Sequence, residues 1–398
     1  MKKILIILPV VLLLLLMGAA VAFTGVTNPG GFTELYPYVL DIGTIENPDL
    51  NHYQTALNIL LPLVNKTPMC SAAVKVTSDN HVIAGRNLDL LATNKPVCIA
   101  HVISDGCYPV MTISYIPWLG FDYNWLKTFG MPAYWKDFQP AGAADCINSE
   151  GFYIEVNMRY EESGEDGAAK YAVTGTNPEG SITLSKTLVP LYLAQHCKTV
   201  DEALALLPEI NITAGIAQPY GCLMADASGH YGLLEIAGNT WYWTDMQQLN
   251  TNFFIAEEPA AIEEYPLGFG RYELMEKETG GVESVKDMME MMKRVAFFSF
   301  YTPNTCAFAI TSDLVDVSKG WSYAYVTDEK NKAEMDEYIA FEEERAAAMS
   351  PEDIRNDGDI FATMYREAVD LTSREIYITF FDFDGNEDIL QLKFPESG

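Results

Sequence analysis

The stretch Met69-Cys-Ser-Ala-Ala-Val-Lys-Val-Thr-Ser-Asp-Asn-His-Val-Ile-Ala-Gly-Arg-Asn-Leu-Asp89 reads as a β-hairpin that carries its chemistry at the open end. Ser71 to Thr77 alternates small or apolar residues with polar ones, Ser78-Asp79-Asn80 has turn chemistry, and His81 to Ala84 reads as the returning strand. Such a hairpin brings Arg86 back beside Cys70. Asp89, three residues after Arg86, falls just past the expected strand end, where a short excursion aims it at the same point.

A cysteine attacks a carbonyl only as a thiolate, so a neighbouring group must take its proton. The five histidines, His52, His81, His101, His196 and His230, lie in no catalytic sequence context. Cutting the peptide bond between Met69 and Cys70 supplies another base, because a free α-amino group has a pKa of about 7.7 to 8.0. Cys70 then carries both nucleophile and base. Arg86 beside the sulfur favours the thiolate, and Asp89 is suited to hold the amine by hydrogen bonds.

Three later segments join this box: Cys146-Ile-Asn-Ser-Glu-Gly-Phe-Tyr-Ile-Glu-Val-Asn157, Leu249-Asn-Thr-Asn252-Phe-Phe, and Gly268-Phe-Gly-Arg271-Tyr-Glu-Leu. Together with Cys70 and Gly85-Arg-Asn-Leu-Asp89 they resemble the choloylglycine hydrolase family, which includes bile salt hydrolases and penicillin V acylases and is related to acid ceramidase and N-acylethanolamine acid amidase. The resemblance runs from Cys70 to the C-terminus. It implies an N-terminal-nucleophile cysteine amidase that cleaves linear amide bonds, with N-acyl amides such as conjugated bile acids, N-acyl amines or penicillin V as the substrate class and no cofactor. Cys70 matches the nucleophile, Arg86 and Asp89 the pair that follows it, Asn157 the oxyanion-hole asparagine, Asn252 a second active-site asparagine and Arg271 a late arginine. Independently of the resemblance, a fixed side-chain amide is a suitable donor to a developing oxyanion, worth about 3 to 4 kcal/mol in a dry site. Ser71 stands where many relatives have threonine and Leu90 where an aromatic is frequent, so the acyl pocket is not carried over. An acyltransferase would use the same residues, and a non-catalytic, membrane-anchored binding protein would keep the fold without freeing Cys70.

Lys2 and Lys3 precede an uncharged apolar run from Ile4 to Phe23, long enough to cross a bilayer core and followed by no second run of its length. Ala20-Val21-Ala22 also reads as a cleavage site, so residues 1–23 are expected to be a signal peptide or a membrane anchor and the protein to be secreted or tethered outside the cytoplasm. A net charge of -30 opposes binding to nucleic acid or anionic lipid. Acids collect between Asp328 and Asp359, twelve against four bases, where Ala333 to Met349 reads as a solvated helix. No Cys-x-x-Cys or zinc-like Cys/His spacing occurs, so a metal site is not expected, whereas Cys98 and Cys107 could close a short disulfide loop.

Residues 24–69 read as linker and propeptide, with Gly, Pro and Thr early and a short amphipathic helix over 48–64. Residues 70–398 read as one hydrolase domain. Strands are expected at 110–116, 152–158, 222–226, 231–236, 307–310, 363–370 and 375–383, and helices at 182–196, 200–207, 272–278 and 282–295. Antiparallel strands with segregated helices make an α+β protein, and the family resemblance implies a four-layer α/β/β/α sandwich. Trp118 to Phe138 is strongly aromatic, suited to core or lid packing or to an apolar acyl pocket.

Overall fold

In the computed structural model the residues described are 26–27, 30–31, 39–49, 69–91, 97–115, 131–132, 139–159, 175–177, 179–213, 220–256, 268–296, 329–334, 336–337, 340, 344, 361–380 and 388–396. The N-terminal apolar run, residues 50–64 of the expected helix, the strand expected at 307–310 and all of the aromatic stretch but Met131 and Pro132 lie outside them. Among the described residues no helix is long and apolar enough to cross a membrane.

The core strands run in chain order as β1 (Val39–Glu46), β2 (Met69–Val76), β3 (Val82–Leu91), β4 (Val97–Ile103), β5 (Val110–Tyr115), β6 (Ala143–Asn148), β7 (Tyr153–Glu155), β8 (Asn157–Met158), β9 (Tyr220–Ala225), β10 (Tyr231–Ala237), β11 (Thr240–Asp245), β12 (Leu249–Asn250), β13 (Phe361–Asp370), β14 (Glu375–Phe380) and β15 (Leu390–Leu392). The helices are α1 (Val189–His196), α2 (Val200–Leu206), α3 (Phe269–Thr279) and α4 (Val285–Arg294). A six-stranded sheet has the order β12-β2-β3-β13-β14-β15, antiparallel throughout. A ten-stranded sheet runs β11-β10-β9-β7-β6-β5-β4-β1 and ends on Gly30–Gly31, with β8 also on β9; its one parallel pair is β1 with β4. The fold is α+β with mostly antiparallel sheets.

Period-2 alternation explains how the sheets meet. On β2 and β3, Cys70, Ala72, Val74, Val82, Ala84 and Leu88 point toward Val97, Ile113, Ile147, Tyr153 and Leu223 of the larger sheet. Ala73 and Ile83, on the other face, pack with Met288, Met289, Met291 and Met292 of α4. Helix α1 supplies Leu191, Leu193 and Ala194 to a separate cluster on the larger sheet. Gly85 permits the close approach of α4, since a Cβ there would stand 2.5 Å from Met288 Cγ. The hairpin turn forms as the sequence predicts: Thr77 N donates to His81 O at 2.9 Å, and Asn80 takes φ of 67°, a left-handed conformation that asparagine tolerates.

Several expected elements differ from those observed. Residues 182–196 are not one helix, because Pro190 lies in the first turn of α1, where its missing N–H costs nothing. Upstream of it Ile182–Ser185 is a strand parallel to Ile210–Thr213. Helix α4 starts at Val285 rather than 282 because Ser284 accepts from Asp287 N as an N-cap. The expected strand 152–158 breaks at Val156, whose carbonyl turns to a side chain described below. Part of the segment read as a linker is β1, hydrogen-bonded along Val39–Glu46 and bulged at Ile42, where Gly43 has φ of 71°. Its Val39, Leu40 and Ile45 are buried, so this stretch behaves as sheet. Cys98 and Cys107 are both free thiols, the first buried in β4 and the second in the turn beyond it.

Candidate active site

Cys70 is the second residue of β2 and is completely buried. In the β2–β3 ladder Cys70 faces Leu88 and Ala72 faces Arg86, which makes Arg86 a diagonal neighbour of Cys70 on the same face. The guanidinium therefore reaches the sulfur, with Nη2 3.4 Å from Sγ. It is anchored by donation to Ala144 O at 2.6 Å, Val156 O at 2.8 Å and Asp145 Oδ1 at 2.5 Å.

The backbone of Cys70 is held from another direction. Its N–H donates to Asn252 Oδ1 at 3.1 Å, and its carbonyl accepts from Arg271 Nη1 at 2.6 Å. Arg271 Nη2 donates to the same Asn252 oxygen at 2.7 Å, while Nη1 stands 3.5 Å from Asp89 Oδ2. Asp89 does not fall past the strand end. β3 continues to Leu91 because β13 pairs along its other edge, so Asp89 sits in register opposite Met69 and Thr363 and accepts from Thr363 Oγ1 at 2.5 Å. Alternation turns it away from the face that carries Arg86. Asn157, on β8, donates from Nδ2 to Asn250 O at 3.2 Å, and Asn252 donates to Met158 O at 2.9 Å. Cys70, Arg86, Asp89, Asn252 and Arg271 thus share direct contacts, and Asn157 joins them through β12.

Behind Arg86 lies a group of buried acids that sequence reading missed. Asp145 accepts from Tyr153 at 3.3 Å and from Tyr365 in addition to Arg86, and Tyr153 also lies 3.1 Å from Glu367 Oε1. Glu155 Oε1 accepts from Asn250 Nδ2 at 2.5 Å and Leu223 N at 3.1 Å. Arg159, equally buried, pairs with Glu235 at 2.9 Å and donates to Thr251 O and Asn250 Oδ1. Gly221 makes room for it, since a Cβ there would meet Arg159 Nη2 at 1.9 Å. The available signal was charge inside otherwise apolar strands, as in Ala143-Ala-Asp-Cys-Ile and Tyr153-Ile-Glu-Val.

Burial pushes the Cys70 thiol up to about 11; Arg86 opposes the rise and Asp89 adds to it. Burial likewise raises Asp145 against the pull of Arg86, and raises Glu367 well above the carboxylate range, with Asp145 adding to that rise. Three histidines make their hydrogen bonds elsewhere: His81 on Asp370, His196 on Tyr192 O and Cys107, His230 on Asp245. Chemically, the arrangement offers a sulfur with a guanidinium beside it, an amide nitrogen held by a side-chain oxygen, and amide donors nearby.

No family model matches the chain, and no curated protein matches it. Solved structures similar to it include penicillin V acylase from Agrobacterium tumefaciens, at 13% identity over 81% of this chain and 86% of that one, with a TM-score of 0.37. A mutant of conjugated bile acid hydrolase from Clostridium perfringens is 13% identical over 83% of this chain and 98% of its own, with a TM-score of 0.39. An N-acylethanolamine-hydrolyzing acid amidase ortholog from Caenorhabditis elegans is 11% identical over 76% and 93%, with a TM-score of 0.35.

Proposed function

We propose that the protein is an exported cysteine amidase of the choloylglycine hydrolase type, built as a four-layer α/β/β/α sandwich and active once Cys70 is the N-terminal residue of its chain. The observation that carries this reading is the double hold on Cys70: Arg86 Nη2 at 3.4 Å from its sulfur and Asn252 Oδ1 at 3.1 Å from its nitrogen. A peptide N–H in that position becomes, after cleavage, an amine already fixed by an acceptor. The amine takes the thiol proton, the thiolate adds to the carbonyl of an N-acyl amide, and the ammonium returns the proton to the departing nitrogen. A thioester remains, and water activated by the same amine releases the acid. Asn157 has a second Nδ2 hydrogen to offer the oxyanion while it keeps its bond to Asn250 O. Asp89 and Arg271 orient the amine and the Cys70 carbonyl. Cleavage before Cys70 leaves β1 hydrogen-bonded to β4, so the product is a nicked two-chain molecule.

A second reading, a non-catalytic binding protein, is favoured by one fact: in the uncut chain Cys70 is wholly buried and its thiol is raised to about 11, which makes it inert. N-terminal sequencing and intact-mass analysis of purified protein separate the two. Chains beginning at Cys70 that hydrolyse an N-acyl amide are the expected result, and hydrolysis by chains that retain Met69 excludes the amine as base. Cell fractionation tests the export and tethering expected of residues 4–23.

A further inference from the structure

Around Arg86 the acids outnumber the bases. Its guanidinium contacts Asp145 directly, stands 3.8 Å from Glu155 Oε2, and connects through Asp145 and Tyr153 to Glu367. Of the other buried arginines, Arg159 pairs with Glu235, Arg271 stands beside Asp89, and Arg366 is turned by strand alternation to the face of β13 opposite Glu367. One guanidinium cannot balance three ionised carboxylates out of contact with water, so some of them must hold protons. Asp145, with donors from Arg86 and two tyrosines, is the anion of the set. Glu155 differs: among the described residues both of its donors lie on Oε1, while Oε2 is buried without a hydrogen-bond partner and faces Arg86.

We propose that Glu155 is a positioning residue that tunes the Cys70 thiol through Arg86. In its neutral form it leaves the charge of Arg86 to the sulfur, and in its ionised form it competes for that charge and adds a negative field of its own. This inference rests on the reading of Cys70 as the nucleophile and assigns that site a pH-sensitive regulator. Burial raises Glu155 to about 7, against the pull of Arg86 and the Asn250 bond, which places its ionisation where it matters. The titratable and charged groups facing it are Arg86 on β3, Asp145 on β6, Tyr153 on its own strand, Glu367 on β13, Cys222 on β9 and Cys70 on β2. The first five respond to it electrostatically or by contact, but Cys70 is the one whose ionisation the proposed reaction uses.

The test is an infrared titration of the full chain, reading the protonated-carboxyl band and the S–H stretch together, in wild type, Glu155→Gln and Cys70→Ala. Cys70→Ala identifies the S–H band of Cys70. The expected result is a carboxyl band that disappears near neutral pH in wild type and is missing in Glu155→Gln. In that variant the Cys70 S–H band should be lost at lower pH than in wild type, by roughly one unit, or about tenfold in thiolate fraction. Coincident S–H titrations, or no neutral-range carboxyl band that depends on Glu155, overturn the proposal. If Glu155→Gln fails to fold, 13C-glutamate labelling of wild type decides: a glutamate carboxyl titrating near neutrality with a coincident shift of the Cys70 S–H stretch supports it, and a Cys70 S–H stretch that stays constant through that range overturns it. None of these readouts needs turnover. Coupled titration in a chain that hydrolyses no amide removes the amidase reading and keeps the coupling; hydrolysis with uncoupled titrations does the reverse.

Discussion

The layer between the two sheets and the layers under the helices are filled with the same apolar residue types, yet they do different work. Under the helices, Leu191, Leu193 and Ala194 of α1 and the four buried methionines of α4 make clusters dominated by aliphatic contacts. Between the sheets the apolar cluster that includes Val97, Ile113 and Leu223 is accompanied by four fully buried charged residues, Arg86, Asp145, Glu155 and Glu367. Desolvating those charges is costly and returns little net stability unless every partner is in place. The outer layers hold the fold together, and the middle layer spends stability on a defined electrostatic setting around one sulfur.

Substitutions in the two regions should therefore separate catalysis from stability. Cys70→Ala has the largest expected effect: loss of all amide hydrolysis and, if the cleavage before residue 70 is autocatalytic, of that cleavage as well, with folding intact by circular dichroism. Asn157→Ala should lower kcat about a hundredfold or more with a smaller change in KM; an unchanged kcat in processed, folded protein removes Asn157 from the oxyanion site. Leu193→Ala, under α1, should do the opposite, costing about 2 to 5 kcal/mol in denaturant unfolding with kcat of the folded protein preserved.

A pH dependence sharpens the comparison further. Glu155 is raised from 4.5 to about 7 on folding, so between those values the native state binds more protons than the unfolded state and stability falls as pH rises. The cost is absent at acid pH and fully developed above 7, at about 3 kcal/mol in total for this wholly buried group. Glu155→Gln should remove that slope, leaving the variant more stable relative to wild type at alkaline than at acid pH. The smallest effect belongs to the outer surface: Ser284→Ala, which deletes the N-cap of α4, should cost about 1 kcal/mol and leave the kinetics alone.

What the sequence revealed follows the range of the interactions. The β2–β3 hairpin was legible because alternation and a turn asparagine are local, and its register places Arg86 beside Cys70. The strands expected at 363–370 and 375–383 were legible for the same reason: they are β13 and β14, joined by a local turn over Leu371 to Arg374 in which Asp370 Oδ1 accepts from Thr372 N and Ser373 N. The acids behind Arg86 were not legible, because Asp145 is 59 residues from Arg86 and 220 from Tyr365, and nothing local says which strands will be neighbours. β1 was missed because glycine and proline around it masked a short alternation that only pairing with β4 stabilises. The expected excursion at Asp89 failed because β13, recruited from the far end of the chain, extends the strand through it.

That recruitment has a temporal side. Thr363 lies 274 residues after Asp89, and Tyr365 and Glu367 complete the surroundings of Asp145 from the same late strand. A nascent chain can close the early hairpin within moments of its emergence, but the centre around the sulfur must wait until synthesis has passed Glu367. Pairings of such long sequence separation form slowly, and in the interval the outer edge of β3 is an open row of unsatisfied amides and carbonyls. Yield during synthesis should therefore depend less on the strength of the finished core than on how well that edge is shielded until β13 arrives.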